Sequence, residues 1–401
     1  MLASSRTARA CAVALLAILA AAEGCASPAP SREYETVVPS LDEAPPLAMF
    51  EWKGRVLLAR VGKLSTFDPA TSQLQDLGGP EYQTCKGSLS TDLWPDFRYP
   101  TPLGARLTGA GSLELANGTC GIWRVDPALP SAPEMIVRWD LVPPSKIGAT
   151  TGPGLSVHGM YAADVDDETF VCLSVQGGPP DGVTDLPYHD HVEIWSIAAG
   201  GEAERIASAP PLFGGPGYEV YPDACTGIVA DRDGIYFAAA GGYDGRLYRV
   251  DRATKTVTSV LEWNGDSLDA SLRLTKDSLV VMPASAEAMK PRPDGLAPPN
   301  LTLPIVRIDR RTLASTLVVA GTAYNAPLRY DLQVVGDQLY YLDGFSLRRV
   351  PLAGGDVDTV VEGSAHEGAF LGYAVVGPWV YFDHVSHADG KEHYALWRTP
   401  R

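Results

Sequence analysis

Seven times along the chain a turn pair is followed by a short apolar strand and then by a strand that reads aromatic, Arg, aliphatic, Asp. The clearest copies are Asp233-Gly-Ile-Tyr-Phe leading to Leu-Tyr248-Arg249-Val250-Asp251, and Asp337-Gln-Leu-Tyr-Tyr leading to Leu-Arg-Arg349-Val350-Pro351. Each period holds four β-type segments: an apolar strand A, a short aromatic or β-branched strand B, a strand C carrying the Arg phrase, and a returning strand D. The B strands are expected at Arg55 to Val61, Ser112 to Leu115, Thr169 to Ser174, Ile235 to Ala239, Leu279 to Met282, Leu339 to Leu342 and Val380 to Asp383. The C strands are expected to end near Phe67, Val125, Ile197, Val250, Ile308, Val350 and Thr399. A period of about 55 residues places the chain among propellers and solenoids.

These modules predict an all-β fold, a single seven-bladed β-propeller of four-stranded antiparallel blades over residues 34–401. The last copy stops after its strand C at Arg401 and therefore lacks an outer strand. The β-prone segment Tyr34 to Val38 precedes the first strand A and is the natural donor, closing the ring and covering a bare edge. Because the copy around Ser112 is weak, six blades with a deviant pair is the rival count. A repeat array of this kind grows as one domain, each module covering its neighbour.

The first residues read differently. Arg6 and Arg9 precede an apolar run from Ala10 to Ala22, which is too short for a permanent span and of signal-peptide length. Glu23-Gly24-Cys25 resembles a bacterial lipoprotein cleavage box, although Ala22 and Glu23 are not its usual residues. The expected organisation is a signal peptide over 1–24, a lipidated flexible tether over 25–33 beginning at Cys25, and the propeller thereafter. The location that follows is the bacterial cell envelope, outside the cytoplasm.

Composition refines this picture. Gly 40 and Pro 33 supply turns. Lys+Arg 32 against Asp+Glu 48 gives −16, and −17 once residues 1–24 are removed. Such a surface repels phosphate backbones, so no nucleic acid is expected as a partner. Apart from the lipidated Cys25, four cysteines remain in the mature chain, Cys85, Cys120, Cys172 and Cys225, an even number suited to an oxidising compartment. Nearest-neighbour pairing would close two loops worth about 4 kcal/mol each in the chain-entropy model; the other two connectivities stay open. Their spacing does not fit a structural zinc site.

Several residues read first as structure. Asp68, Asp126, Asp251 and Asp309 each follow strand C, where an Asp carboxylate caps the next turn. Trp123, Trp195, Tyr248 and Trp397 occupy equivalent slots and are expected to pack between blades. Asp164-Val-Asp166-Asp167-Glu168 lacks the spacing of a calcium loop and reads as a solvated A to B turn.

Tyr-Tyr-Leu-Asp-Gly at 340–344, followed by Leu-Arg-Arg-Val-Pro-Leu-Ala-Gly-Gly at 347–355, resembles the bacterial relatives of the low-density-lipoprotein-receptor (YWTD-type) propeller. Ile235-Tyr-Phe and Val380-Tyr-Phe-Asp383 are weaker echoes, while the Trp and Thr of that motif are missing and its usual count is six blades. The resemblance implies a rigid binding ring with no catalytic residues to carry over.

Loop lengths point to one face. Strands alternate in direction, so B to C loops and D to A connections share a side. The long insertions fall there, at 175–192, 283–303 and 384–393 and at 78–104, 141–156 and 209–223. That side is expected to display Trp94, Tyr99, Tyr188, His189, Asp190, His191, Tyr218 and Tyr221 as a ligand-binding face, with Asp96, Phe97 and Arg98 beside them. His366, His384 and His387, or His189 with His191 and Asp190, are the metal candidates, and no spacing among them is diagnostic. No metal, cofactor or catalytic residue is assigned, since no linear catalytic motif is present. The expected function is a noncatalytic binding or scaffold module for a protein or glycan partner. The reading from another class is a carbohydrate- or ester-active hydrolase with a metal or carboxylate site in the central funnel.

Overall fold

The computed structural model describes residues 33–41, 48–60, 63–78, 104–107, 111–117, 121–129, 134–138, 156–165, 168–177, 189–198, 203–209, 224–241, 244–264, 270–283, 304–320, 332–343, 346–363, 372–388 and 391–401. The elements found there are strands, numbered in chain order, in seven four-stranded antiparallel sheets. Strand β1 (Glu35–Val38) comes first. The first sheet then holds β2 (Ala48–Trp52), β3 (Arg55–Arg60), β4 (Lys63–Asp68) and β5 (Gln73–Gly78), and the second β6 (Gly104–Leu107), β7 (Leu113–Asn117), β8 (Gly121–Val125) and β9 (Glu134–Arg138). The third contains β10 (Ser156–Val165), β11 (Glu168–Gly177), β12 (His189–Ala198) and β13 (Ala203–Ser208), and the fourth β14 (Ala224–Ala230), β15 (Gly234–Gly241), β16 (Asp244–Asp251) and β17 (Val257–Asn264). The fifth is β18 (Ala270–Leu274), β19 (Ser278–Pro283), β20 (Ile305–Asp309) and β21 (Ser315–Val319), and the sixth β22 (Leu332–Val335), β23 (Gln338–Asp343), β24 (Ser346–Pro351) and β25 (Asp358–Val361). The seventh takes three strands from the chain's end, β26 (Tyr373–Val376), β27 (Trp379–Ala388) and β28 (Lys391–Pro400), and its fourth from the start, in the order β1-β28-β27-β26.

Alternating side chains give each sheet two apolar faces, and successive sheets cover them. Leu57 and Leu64 of the first sheet meet Leu113 and Val125 of the second. Phe170 and Ile194 of the third meet Ile235 and Phe237 of the fourth, Tyr236 meets Leu279 and Ile308 of the fifth, and Val280 and Met282 meet Leu339 and Tyr341 of the sixth. Tyr340 packs against Tyr373 and Phe382 of the seventh, whose other face, with Tyr381 and Leu396, covers Met49 and Phe67 of the first. First strands touch from sheet to sheet, β10 with β14, β14 with β18, β18 with β22 and β26 with β2, so the A strands crowd the axis and the D strands lie outside. The weak copy around Ser112 is a complete sheet, joined to the first by Trp52, whose Nε1 donates to the Gly111 carbonyl at 2.9 Å. Gly111 has φ +85°, which a Cβ would strain.

Every pairing of a C strand with a D strand carries a bulge at the same place. The register slips after Leu64, Ile122, Ile194, Leu247, Ile305 and Leu347, leaving Leu77, Ile136, Ile206, Val260, Val318 and Val360 as the extra residue. β1 obeys the same rule: it pairs Thr36 with Trp397 and Val38 with Leu396, and Val37 is the extra residue. A bulge twists a strand and blunts its edge. By its bulge, β1 is therefore the missing D strand of the seventh repeat. It is held further by the Glu35–Arg398 ion pair at 2.7 Å and by burial of Val38 and Leu41, the Leu41 N–H donating to the Tyr394 carbonyl at 2.7 Å.

One rim of the ring is closely stitched. Oδ1 of Asp68, Asp126, Asp251 and Asp309 accepts the N–H two residues on, at 2.9, 2.9, 3.1 and 3.0 Å. The Thr254 and Thr312 N–H and hydroxyl groups hold the Asp251 and Asp309 carboxyls below their ordinary pKa. The residue after strand C adds a joint between sheets. Arg252 donates to the Asp231 carbonyl of its own A to B turn at 3.2 Å and ion-pairs with Glu168 of the preceding sheet. Arg310 donates to the Thr275 and Lys276 carbonyls at 3.1 and 2.7 Å and pairs with Asp231 of the sheet before it. Arg401, in the same slot, donates to the Tyr340 hydroxyl at 3.1 Å. Glu168, expected in a solvated turn, thus bridges two sheets instead, because Arg252 lies opposite it.

Cys172 on β11 and Cys225 on β14 form a disulfide between the third and fourth sheets, with a Cα–Cα distance of 6.1 Å and a separation of 53 residues. Cys85, Cys120 and Cys25 lie outside the described residues.

Two outcomes follow. A Cys172→Ser/Cys225→Ser chain should lose up to about 4 kcal/mol in denaturant unfolding, the loop-closure value for this separation, and unchanged stability would show that the sheet joint alone holds the two sheets. Deleting residues 34–38 removes a strand and the buried Val38 side chain. Calorimetry should show a loss of about 3–5 kcal/mol from its hydrogen bonds and burial, and an unaltered melting midpoint would refute closure by this segment.

Candidate functional site

Strand direction separates the two sides of the ring. The Arg401 N–H donates to the Pro378 carbonyl in the Gly377-Pro378 turn between β26 and β27, so the C strands finish on the side of the A to B turns. On that stitched side connections are short: Lys53-Gly54, Asp166-Asp167, Gly336-Asp337 and Gly377-Pro378 are two-residue links, and the longest runs from 126 to 133. On the other side the long connections are 79–103, 139–155, 178–188, 209–223, 284–304, 320–331 and 362–372, beside 39–47 and short links at 61–62, 118–120, 242–243, 265–269, 344–345 and 389–390. The expected one-sided elaboration is present, with two changes.

The B to C connection of the third sheet is 178–188 rather than 175–192. β11 and β12 continue as a ladder that sets His191 opposite Val175, Asp190 opposite Gln176 and His189 opposite Gly177. His189, Asp190 and His191 therefore sit on a strand and not in a loop. Main-chain pairing needs no apolar side chain, so the hairpin runs on through polar residues. In the seventh sheet the expected 384–393 loop is likewise a hairpin, β27 and β28 being joined by two residues, with Ser386 opposite His393 and His387 opposite Glu392. Trp94, Tyr99, Tyr188, Tyr218, Tyr221 and His366 lie outside the described residues.

The hairpin of the third sheet rises from a rigid base. Glu193, two residues after His191, is fully buried on β12. Its carboxylate accepts from Trp195 Nε1 at 2.9 Å and from Arg205 Nη1 at 3.0 Å. A buried carboxylate demands such partners, and these fix the strand that carries His189 to His191. In the seventh sheet, His384 stacks on Trp397 with ring centroids 4.1 Å apart and planes 10° apart. Tyr34 meets Phe382 edge-on at 5.8 Å and lies 6.5 Å from Trp397, and its hydroxyl accepts the Glu362 N–H at 3.2 Å. Trp397 and Tyr248 pack between sheets as expected, and Trp195 is buried. Trp123 lies on β8 at the register position of Leu115.

Sequence reasoning missed Glu193, the contacts of Tyr34 with Phe382, Trp397 and the Glu362 N–H, and the arginines after strand C. A single charge within Val192-Glu-Ile-Trp-Ser-Ile197, otherwise a core strand, was the signal available for Glu193.

The electrostatics of the two sides differ. Counting every connection on the loop-rich side, including 39–47, there are eighteen Asp and Glu against six Lys and Arg. Most of the net negative charge of the chain is thus attached to one rim. Among the described residues no three His, Cys, Asp or Glu side chains are grouped to hold a metal ion. The Tyr341 phenol is pushed up to about 12 by burial, with the Asp343 carboxylate adding to it, so it packs and does not exchange protons near neutrality.

No family model matches the sequence, and no curated protein does. Among solved structures, an oligogalacturonate lyase in complex with manganese is similar at TM-score 0.54 and 11% identity, covering 92% of this chain and 93% of that one. The Neurospora crassa Pan2 WD40 domain is similar at TM-score 0.49 and 11% identity, covering 93% and 97%. TolB from Acinetobacter baumannii reaches TM-score 0.35 at 12% identity, covering 72% and 59%. The first of these supports the shared propeller fold, and its identity is too low to carry activity across.

Replacing Glu193 by Ala strands two donors in the base of the third sheet. Because Arg205 can turn to water, the expected cost is about 2–3 kcal/mol, below that of a fully buried pair. Glu193→Gln should recover part of it in the same unfolding assay, and a neutral Ala variant would show that the carboxylate does not hold the strand.

Proposed function

We propose that the chain is an extracytoplasmic, lipid-anchored propeller that works as a noncatalytic binding or scaffold module and presents its loop-rich rim to a protein or glycan partner. The observation that carries this reading is the asymmetry of the connections. One rim is held by turns and arginine joints, while the other bears about three quarters of the length that connects the strands. Export and anchoring belong to the same reading, through the apolar run Ala10 to Ala22 and Cys25. So does the YWTD-type resemblance at 340–355, which implies a binding ring.

Charge narrows the partner. A rim with eighteen acids and six bases favours a cationic or neutral ligand and opposes a polyanion. Oligogalacturonate, named for the lyase of similar fold, is a polyanion, and that substrate is therefore not transferred to this chain.

The test uses the soluble ring, residues 34–401, as bait for envelope proteins and neutral glycans, beside a chain in which 178–188 is replaced by a two-residue Asn-Gly turn. The replacement keeps the β11–β12 ladder, so folding should persist while capture falls at least ten-fold. Raising salt from 50 to 500 mM should weaken capture of a cationic partner by the parent ring and leave capture of a neutral glycan unchanged. Equal capture by both chains would clear this connection of a role, and capture that grows with salt would contradict an electrostatic rim.

A further inference from the structure

We infer that in the anchored chain the stitched side of the ring lies against the bilayer surface and the loop-rich rim points away from it. This rests on the lipidation of Cys25 proposed above.

The geometry comes from β1. Strand β28 ends at the stitched side, where Arg401 meets the Gly377-Pro378 turn. β1 is antiparallel to β28 and pairs Glu35 with Arg398, so β1 begins at the stitched side and runs toward the rim. As the outermost strand of its sheet, it also begins at the circumference of the ring. Ten residue steps separate Cys25 from Glu35, which is about 35 Å if fully extended and about 18 Å as a flexible coil. The ten-residue strands β27 and β28 span about 33 Å from one side to the other. Turning the rim to the bilayer would require the tether to climb the flank of the sheet at nearly full stretch. With the stitched side down, the tether needs little extension.

Charge points the same way. Anionic lipid repels the rim, with its threefold excess of acids. On the stitched side the exposed cations Lys53, Lys276 and Arg311 are interleaved with acids such as Asp277 and Asp337. Bringing that side to the surface therefore meets less repulsion.

The test places one nitroxide at a time on the lipidated full chain, through Lys276→Cys or Lys53→Cys on the stitched side and Ser386→Cys toward the rim, all at exposed positions. The chains are bound to vesicles of phosphatidylcholine and phosphatidylglycerol doped with a nickel-chelating lipid, and relaxation of each label by nickel is measured. The expected result is enhancement at 276 and 53 several times that at 386. Equal enhancement, as for a ring lying on its flank, or stronger enhancement at 386 would overturn the orientation while leaving anchoring intact. If the labelled chain does not float with vesicles, or a Cys25→Ala chain floats equally well, the anchoring reading fails and the orientation with it.

Discussion

The structure depends on one pairing, that of β1 with β28. Each sheet is apolar on both faces and needs a neighbour on each side, so an open row would leave two bare faces at its ends. A ring removes both, but only if the seventh sheet covers the first. Tyr381 and Leu396 do this against Met49 and Phe67, and Val38 and Leu41 complete the same cluster from the beginning of the chain. Residues more than 350 positions apart must therefore meet before the first sheet is covered. Val37 in the bulge position shows that this strand obeys the packing rule of every other outer strand.

The same constraint explains why elaboration is one-sided. After strand C an Asp caps the turn in four sheets, and in three an arginine reaches back to the preceding sheet. A long insertion there would displace the carbonyls and carboxylates that Arg252 and Arg310 join. At the opposite ends the repeated joint among the described residues lies within the first strands themselves, Arg273 Nε donating to the Leu332 carbonyl and Gln333 Nε2 to the Tyr373 carbonyl, and not in the connections, so length can be added there at the cost of loop closure, which rises only slowly with loop size. Hairpins extend there for the same reason: β11 with β12 and β27 with β28 continue past the body of the ring without disturbing a neighbour.

The fold was largely legible because strands B and C carry their signal in the sequence itself. Ile235-Tyr-Phe and Leu-Tyr248-Arg249-Val250-Asp251 are core strands, and core strands must be apolar at alternate positions. Outer strands are half exposed, so Gln73–Gly78 and Ala203–Ser208 show little pattern, and the bulge shared by all seven emerges only from their register. The rim was legible as a place and not as a surface. Tyr188-His-Asp-His191 reads as a loop because its side chains are polar, yet the backbone ladder carries three of the four residues as strand. The arginine joints were hidden because Arg252 and Arg310 follow a turn-forming Asp, where a solvated cation is the ordinary expectation. The carboxylates they meet lie 84 and 79 residues earlier in the sequence.

Rigidity and charge are distributed in complementary fashion. The stitched side neutralises acids with cations across sheet joints, Arg252 with Glu168 and Arg310 with Asp231, which lowers local repulsion where sheets must stay close. By sequence position the excess acids of the rim fall in connections between strands, so their mutual repulsion acts outside the strands that form the core. A ring built this way can keep a strongly negative side without loosening its sheets, because the excess acids lie between strands and not on the sheet faces that pack.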